Sequence, residues 1–293
     1  MYEKTQEGMR REEKILETSN SSTPLREPYS KPSIGTTLTS IFSSMPLIRV
    51  LVRRDLRLRY HSSVLGYLWT LIEPLMLAGA YYFVFIILRG TSEPMYPLLV
   101  LTGILVWSMF AKTVRFGVNS LVKNAGLIQQ IQFPHATLIV AKCGANYIIT
   151  TMSMLVLIPF ILMYDLSISW RIIYVIYGLF MTGILACAVG FLLAPVNVRY
   201  RDVDHLIGFL TRVGFFLTPI MYTMSFIPEK YHWWYLAVNP MAVNISTVRS
   251  GILGSELIID PASVLFSFVS TMFLLFCGLL IYSKQQNKAV KYL

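Results

Sequence analysis

Six long apolar stretches dominate this chain and constrain its fold more than any other feature. A helix needs about 20 mostly apolar residues to cross a bilayer, and a backbone inside lipid must satisfy its own hydrogen bonds, as a helix does. Hydrophobic residues make up 55% of the sequence and charged residues 14%, unlike a soluble domain. We therefore expect an all-α integral membrane protein with six transmembrane helices, at about residues 66–88, 96–111, 137–163, 172–194, 206–222 and 262–283.

The distribution of basic residues predicts the orientation of these helices. Most of the 25 Lys and Arg residues lie before residue 66, in segments 112–142 and 199–212, or after Tyr282. Basic loops remain on the cytoplasmic side. Both termini are therefore expected in the cytoplasm, with the protein in the cytoplasmic (inner) membrane and residues 223–261 outside. Because the net charge of +10 lies beside the membrane, it favours contact with membrane lipid over nucleic acid.

The connection before the last span is apolar but repeatedly interrupted by proline. Each proline removes a backbone donor and tends to end a helix, so the pieces of residues 219–253 are too short to cross a bilayer. Broken helices at membrane depth occur where protein buries them or where they line a cavity. We expect re-entrant helices that belong to a pathway and include Pro219, Pro228, Asn239, Pro240 and Arg249.

The segment before the first span divides into two parts. Residues 1–45 are rich in Ser, Thr, Pro and charge, and we expect a flexible cytoplasmic tail followed by a transmembrane domain at 46–293. Residues 46–61 place Leu and Ile on one side of a helical wheel and Arg on the other, which is typical of a helix in the membrane interface. This helix either anchors the first span or binds an anionic head group through Arg53, Arg57, Arg59 and His61.

A short amphipathic segment lies in the basic loop between the second and third spans. Its apolar residues recur at helical spacing with glutamines between them, and a Phe-Pro pair ends it. A half-apolar helix exposed to the cytosol needs a surface that covers it. It either folds back onto the membrane or docks a soluble partner, and we favour docking through Asn124, Leu127, Ile128, Gln130, Ile131, Phe133 and Pro134.

One carboxylate and several aromatic residues are candidates for contacts within the spans. Glu73 lies in an apolar stretch, where ionisable residues are functional candidates by default. It serves as a structural hydrogen-bond or ion-pair partner, with an interface Arg for example, or it contacts a substrate or takes part in proton coupling. The aromatic residues either pack against neighbouring helices or stack on sugar rings in a conduit: Trp69, Tyr81, Tyr82, Phe85, Phe215, Phe216 and Tyr222.

The sequence has few signals for catalysis. It contains no G-x-x-x-x-G-K-[ST] phosphate loop, no H-E-x-x-H and no G-x-S-x-G. The Cys and His residues show no metal-ligand spacing, so we expect neither a metal nor a cofactor in this chain. If the chain were an enzyme acting on lipid-linked sugars, Asp202 and Asp204 would be its best catalytic candidates, although we favour local pairing of these carboxylates with nearby basic residues.

Four motifs occur together in an order and spacing that resembles a known family. They are LGYLWTLIEPL (Leu65–Leu75), NAGLIQQIQFP (Asn124–Pro134), VRYRDVDHL (Val198–Leu206) and TPIMY…IP…NP…R (Thr218–Arg249). The chain resembles the membrane subunit of ABC-type exporters of cell-surface polysaccharides such as O-antigen, capsule and teichoic acid. The resemblance extends from about Leu47 to Tyr282.

This resemblance implies a homodimer of six-span subunits joined to two copies of a separate ATPase chain, which would hold ATP and Mg. The helix at 124–133 would dock on the ATPase, the broken helices would cap the external exit, and spans one and five would line the conduit. The substrate would be a glycan on a polyprenyl diphosphate lipid, whose diphosphate would bind near Arg53 to His61. The first alternative is an exporter of the same class for a small amphiphile. A membrane enzyme that acts on lipid-linked sugars is the less favoured alternative.

Overall fold

Helices account for most of the described chain. The structure, a computed structural model, describes residues 33–59, 63–84, 95–167, 169–253 and 260–292. Within these ranges there are α-helices, short 3-10 turns and loops, with no β-strand. The prediction of an all-α protein is therefore confirmed.

The helices follow one another closely along the chain. A 3-10 turn at Gly66–Leu68 precedes α3, and another at Met154–Leu157 joins α7 to α8. In chain order the α-helices in the described ranges are α1 (Ile34–Ser43), α2 (Met45–Arg59), α3 (Trp69–Tyr82), α4 (Tyr96–Val118), α5 (Ser120–Lys123), α6 (Ala125–Gln130), α7 (Ala136–Ser153), α8 (Ile158–Met163), α9 (Ile172–Arg199), α10 (Asp202–Leu217), α11 (His232–Val238), α12 (Pro240–Leu253) and α13 (Pro261–Val290).

Four of the predicted spans are helices long and apolar enough to cross a membrane: α4, α7 continued by α8, α9 and α13. The helices at the first and fifth predicted spans are shorter, with 14 described residues in α3 and 16 in α10. At 1.5 Å per residue these lengths are about 21 and 24 Å, against about 30 Å for a bilayer core. Residues 85–88, the end of the first predicted span, lie outside the described ranges.

Two predicted helix ends differ from the structure. The fifth span was expected to reach residue 222, but α10 ends at Leu217 because Thr218 is extended ahead of Pro219. The second was expected to end near residue 111 or to extend toward Arg115, and α4 continues to Val118. Its last two turns remain helical because they pack against α9 and α10 through buried Val114 and Val118.

The N-terminal segment contains a helix that the sequence analysis placed in a flexible tail. Residues 34–43 form α1, which the Ser33 side chain caps at its start by accepting from the backbone N–H of Gly35. Ile41 is buried in a cluster with Ile48 and Leu51 of α2, and the two helices meet at an angle of 67°. The expectation of flexibility through residue 45 is therefore wrong for α1, while residues 1–32 lie outside the described part.

Helix α9 lies against α4, α12 and α13, and glycines set its distance from all three. The Cα atoms of Gly190 on α9 and Gly117 on α4 approach so closely that a Cβ on either glycine would lie within 3.3 Å of the other. Gly178 faces Asn244 and Val248 of α12, and Gly278 of α13 faces the carbonyl of Ala188. Small residues allow such approaches, which is how helices pack in lipid.

The candidate sites lie at the two ends of α4. At its Tyr96 end, α4 packs with α9 and α12 around buried Leu98, Leu101 and Ile245. Near its Val118 end, α1, α2 and α6 pack on the ends of α7, α9 and α13. The amphipathic N-terminal helix and the loop helix therefore share one end of the bundle, and α12 contacts the other.

We expect Gly278→Ala to lower the thermal unfolding midpoint of the purified protein in detergent. A Cβ at this position would lie 2.6 Å from the Ala188 oxygen, so the backbones of α9 and α13 would have to separate. Overpacking of this kind costs about 1–3 kcal/mol. Gly79→Ala is the matched control, because its Cβ would have no neighbour within 4 Å. Equal midpoints for the two variants would contradict the close packing of α9 on α13.

Candidate functional site

The predicted docking segment forms a short helix with one buried and one exposed side. Ile128 is buried in the cluster that contains Ile48 and Leu51 of α2, and Leu127 packs against the same cluster. Ile131 is 54% exposed, and Gln130 is also exposed. The segment is therefore fixed to the bundle by one face and presents the other to the surroundings.

The residues on either side fix this helix in place. Asn124 donates through Nδ2 to the Ser120 carbonyl at 2.7 Å, which holds α6 against α5. The predicted end of this helix at Phe133 is wrong: α6 ends at Gln130 because Ile131 is extended, and Phe133 packs against the buried cluster. The Pro134 carbonyl accepts from both the hydroxyl and the backbone N–H of Thr137, in the first turn of α7. Burial lowers the pKa of His135, whose ring meets the Phe133 ring edge to face, below its ordinary value.

The predicted head-group cluster is divided by the structure. Arg53 and Arg57 are exposed on α2, whereas Arg59 donates to the Oδ1 atom of Asn146 on α7 at 3.0 Å. Asp55 on the same helix forms an ion pair with Lys142 of α7 at 2.7 Å. These contacts hold α2 against α7 and leave Arg53 and Arg57 accessible. His61 lies outside the described residues.

Glu73 has a partner that the sequence did not indicate. Lys112 of α4 donates to both carboxylate oxygens at 2.9 and 3.0 Å, in place of the interface Arg that was considered. The pair borders a small cavity of about 40 Å³ between α2, α3, α4 and α7. Its polar lining residues are Arg59, Thr70, Glu73, Ser108, Lys112, Asn146, Thr150 and Ser153.

Most of the predicted conduit aromatics lie on the facing helices α3 and α10. Tyr81 of α3 stacks on Phe215 of α10 with ring centroids 5.7 Å apart, and Phe215 meets Phe216 edge to face. Trp69 and Glu73 line an open groove of about 620 Å³ along α3, together with Met76, Leu77 and Ala80. The structure thus brings α3 and α10 into contact.

The remaining members of the set differ in their surroundings. Tyr82 is 41% exposed on α3. Tyr222 lies beyond the end of α10, where its hydroxyl hydrogen bonds to the hydroxyl of Tyr235 on α11. Phe85 lies outside the described residues.

The proline breaks predicted after α10 are confirmed. Pro228 precedes a 3-10 turn at Glu229–Tyr231, and Asn239 separates α11 from α12, which begins at Pro240. Asn239 donates through Nδ2 to the Thr218 hydroxyl and accepts from the N–H of Ala242 through its Oδ1 atom. The same side chain therefore ties α12 to the end of α10 and starts α12.

Arg249 joins these broken pieces to α4. It is 6% exposed, and its guanidinium donates to the carbonyl oxygens of Leu99 at 3.0 Å, Ile220 at 2.6 Å and Pro219. No carboxylate among the described residues forms an ion pair with it. Gly103 makes room for this arrangement, since a Cβ there would lie 2.8 Å from the Nη2 atom of Arg249.

Three helix ends also meet in a buried polar group at the far end of α4. The side chain of Asn119 donates to Asp204 at 2.6 Å and accepts from Asn197 at 3.2 Å. Neither asparagine was predicted from the sequence. Asp204 was a catalytic candidate only if the chain were an enzyme, and local pairing with nearby basic residues was favoured; its basic partner is Arg115 of α4, at 3.6 Å. The signal that could have indicated the asparagines is an amide side chain at the end of an apolar span, where interhelical hydrogen bonds are common.

Within the described residues, no group of His, Cys, Asp and Glu side chains could hold a metal ion. The candidate regions are the half-exposed segment at 124–134, a polar cavity beside an open groove, and the helix breaks around Arg249.

Comparison with known proteins identifies the family. The model of the ABC-2 type transporter family matches residues 46–253, from α2 through α12. The chain belongs to this family. The match covers the docking segment, the Glu73 groove and the Arg249 region together.

Relatives of known name fall in one group of transport proteins. An O-antigen export system permease protein, RfbA, of Klebsiella pneumoniae is 29% identical over 81% of this chain and 91% of its own length. The polysialic acid transport protein KpsM of Escherichia coli is 24% identical over 82% of this chain and 93% of its own. A capsule polysaccharide export inner-membrane protein, CtrC, of Neisseria meningitidis is 21% identical over 84% and 95%. The resemblance drawn from the four motifs is confirmed.

We expect Arg249→Lys to destabilise the protein by about 1–3 kcal/mol, because the three N–H donors on one ammonium nitrogen cannot reproduce the five hydrogen bonds that the guanidinium donates to the carbonyls of Leu99, Pro219, Ile220 and Tyr222. The thermal unfolding midpoint in detergent measures the effect. Arg212→Lys on α10 is the control, since that side chain is exposed and bonds within its own helix, to the carbonyl of Gly208. A midpoint for Arg249→Lys equal to that of Arg212→Lys would show that the carbonyl contacts add no stability.

Proposed function

We propose that this chain is the permease subunit of an ATP-driven exporter that moves a lipid-linked polysaccharide, such as O-antigen, capsule or teichoic acid, across the cytoplasmic membrane. The observation that carries the proposal is the family match over residues 46–253 together with relatives that are named for export of surface polysaccharides. A small amphiphile is the alternative cargo, and loss of a surface glycan on deletion of the chain would separate the two.

In this proposal the subunit crosses the membrane six times, with both termini in the cytoplasm and α3 and α10 as the short first and fifth spans. Two subunits form a homodimer, and the groove along α3 faces the conduit between them. The exposed apolar side chains of Trp69 and Met76 support this arrangement, because such a face needs lipid or protein to cover it. Aromatic faces that stack on sugar rings without strict sequence preference would let a polymer slide.

The substrate is expected to enter at the α2 end of the bundle. Arg53 and Arg57 are exposed there and can bind the diphosphate of a polyprenyl-linked glycan by charge-assisted hydrogen bonds. At the opposite end of α4, the broken helices α11 and α12 would cap the exit. Glu73 and Lys112 then act as an ion pair beside the path.

Energy comes from a separate ABC ATPase that holds ATP and Mg, with two copies per homodimer. The chain has no phosphate loop, and α6 offers a short helix fixed on one side and exposed on the other. We propose that the ATPase binds the exposed side around Gln130 and Ile131.

Ile131→Asp is expected to weaken ATPase binding while the permease still inserts and elutes as a single species in size-exclusion chromatography. The reason is that Ile131 is 54% exposed, so a carboxylate there is hydrated in the free permease but would be desolvated in the interface. Ile128→Asp is the contrasting variant, because Ile128 is buried and a charge there should prevent folding. Normal ATPase binding by Ile131→Asp would contradict the docking assignment.

The tagged chain is expected to co-purify from its native membranes in mild detergent with a protein that carries a phosphate loop. Mass spectrometry of the preparation, before and after cross-linking, identifies that protein. A preparation free of any such ATPase after cross-linking would overturn the proposal. The membrane-enzyme alternative would then be tested by replacing Asp202 and Asp204 with Asn and measuring turnover in detergent.

A further inference from the structure

Asn119 lies at the junction between α4 and the loop helices. Its backbone carbonyl accepts from the N–H of Lys123 at 2.9 Å, the first hydrogen bond of α5. Its side chain is buried, and Nδ2 donates to the carbonyl of Arg115 at 2.9 Å and to Oδ1 of Asp204 at 2.6 Å. One residue therefore binds the start of the docking loop, the end of α4 and the start of α10.

Asn197 adds the end of α9 to this group. It is 1% exposed, and its Nδ2 atom donates to the Oδ1 atom of Asn119 and to the carbonyl of Val118, both at 3.2 Å. The apolar side chains of Val114, Ala186 and Ile207 pack beside these bonds. The ends of α4 and α9 and the start of α10 are thus joined by polar and apolar contacts at one place.

The Asp204 contact is strong for two reasons. Asp204 lies in the first turn of α10, where the helix dipole stabilises a carboxylate, and its bond to the Asn119 amide is charge-assisted and short. The ion pair with Arg115, at 3.6 Å, contributes less because the Arg115 side chain is 64% exposed. The hydrogen bond from the Asn119 side-chain amide to Asp204 is therefore the main polar link between α4 and α10.

We propose that Asn119, Asn197 and Asp204 are positioning residues that transmit displacement of the docking helix α6 to α10, the helix assigned above to the conduit wall. This inference rests on the proposed function, since it requires an ATPase that moves α6. The hydrogen bonds make the junction between α5 and α10 stiff, so that a shift of the loop reorients the start of α10. We call the hydrogen bonds among Asn119, Asn197 and Asp204 the link. Without the link, the ATPase still displaces α6 but no longer reorients α10.

Two glycines allow each side of the link to be observed. A Cβ added to Gly126 on α6 or to Gly208 on α10 would have no neighbouring atom within 4 Å, so a reporter cysteine fits at either site. Each is introduced into a chain whose native Cys143, Cys187 and Cys277 are replaced by Ala. The rate of maleimide labelling of the permease is measured in the complex with the co-purified ATPase, first without nucleotide and then with ATP and vanadate.

With the link intact, we expect ATP and vanadate to change the labelling rates of both reporters. Asn119→Ala should leave the response at Gly126→Cys in place and reduce that at Gly208→Cys by about tenfold, within the usual range for mutations that modulate coupling between sites. Asp204→Leu should have the same effect, and combining it with Asn119→Ala should add little, because both variants remove the hydrogen bond between Asn119 and Asp204. Asp204→Asn, which keeps an oxygen acceptor, should restore most of the response.

Thr113→Val is the control. Thr113 is buried near the end of α4 and its hydroxyl has no partner in the described structure, so its loss should leave both responses unchanged. An undiminished Gly208→Cys response in Asn119→Ala and Asp204→Leu overturns the inference. So does simultaneous loss of both responses with a lowered unfolding midpoint, which indicates a purely structural role. If neither reporter responds in the chain with the intact link, or no ATPase co-purifies, the proposed function itself fails.

Discussion

A carbonyl oxygen released by a helix break inside a bilayer has no water from which to accept a hydrogen bond, and leaving it unpaired costs several kcal/mol. The turn after α10 leaves the carbonyl oxygens of Pro219 and Ile220 without partners in a helix, and the buried guanidinium of Arg249 donates to both. Gly103 on α4 is needed because any larger residue would fill the space that this side chain occupies. Arg249 therefore fixes the turn after α10 to α4, because the same guanidinium also donates to the Leu99 carbonyl.

Helix α4 connects this region to the end of the bundle where α6 lies. Leu99, which accepts from Arg249, and Asn119, which binds Asp204, are twenty positions apart, or about 30 Å along the helix. Between them, buried apolar side chains and the close approach of Gly117 to Gly190 fix α4 on α9. Polar contacts thus lie at both ends of the stiff pair formed by α4 and α9. Each end of α10 is attached to this pair.

Local patterns explain what could be predicted. The breaks at Pro228 and Asn239-Pro240 follow from the missing donor and the ring of proline, and the helical spacing of Leu127, Ile128 and Ile131 places the docking helix within a few residues. Lys112, the partner of Glu73, lies 39 positions away along the chain, and the partners of Arg249 lie 150 positions away at Leu99 and 30 and 29 positions away at Pro219 and Ile220. Such pairs depend on how the helices pack in three dimensions, which local sequence patterns do not reveal. Helix α1 was missed because its Ser and Thr residues suggested disorder, whereas Ser33 caps the helix and Ile41 packs on α2.

The residues that line the groove along α3 tolerate substitution better than the glycines at the contacts of α9. Met76 is 67% exposed and Trp69 is 43% exposed, so replacing either removes few contacts within the subunit, and substitutions at such positions usually alter stability by less than about 0.5 kcal/mol. A glycine at an α9 contact has no such freedom. Mutation can therefore alter the groove residues one at a time without unfolding the bundle. A lineage that changes its surface polymer could adapt its exporter along this face while the helix frame stays the same.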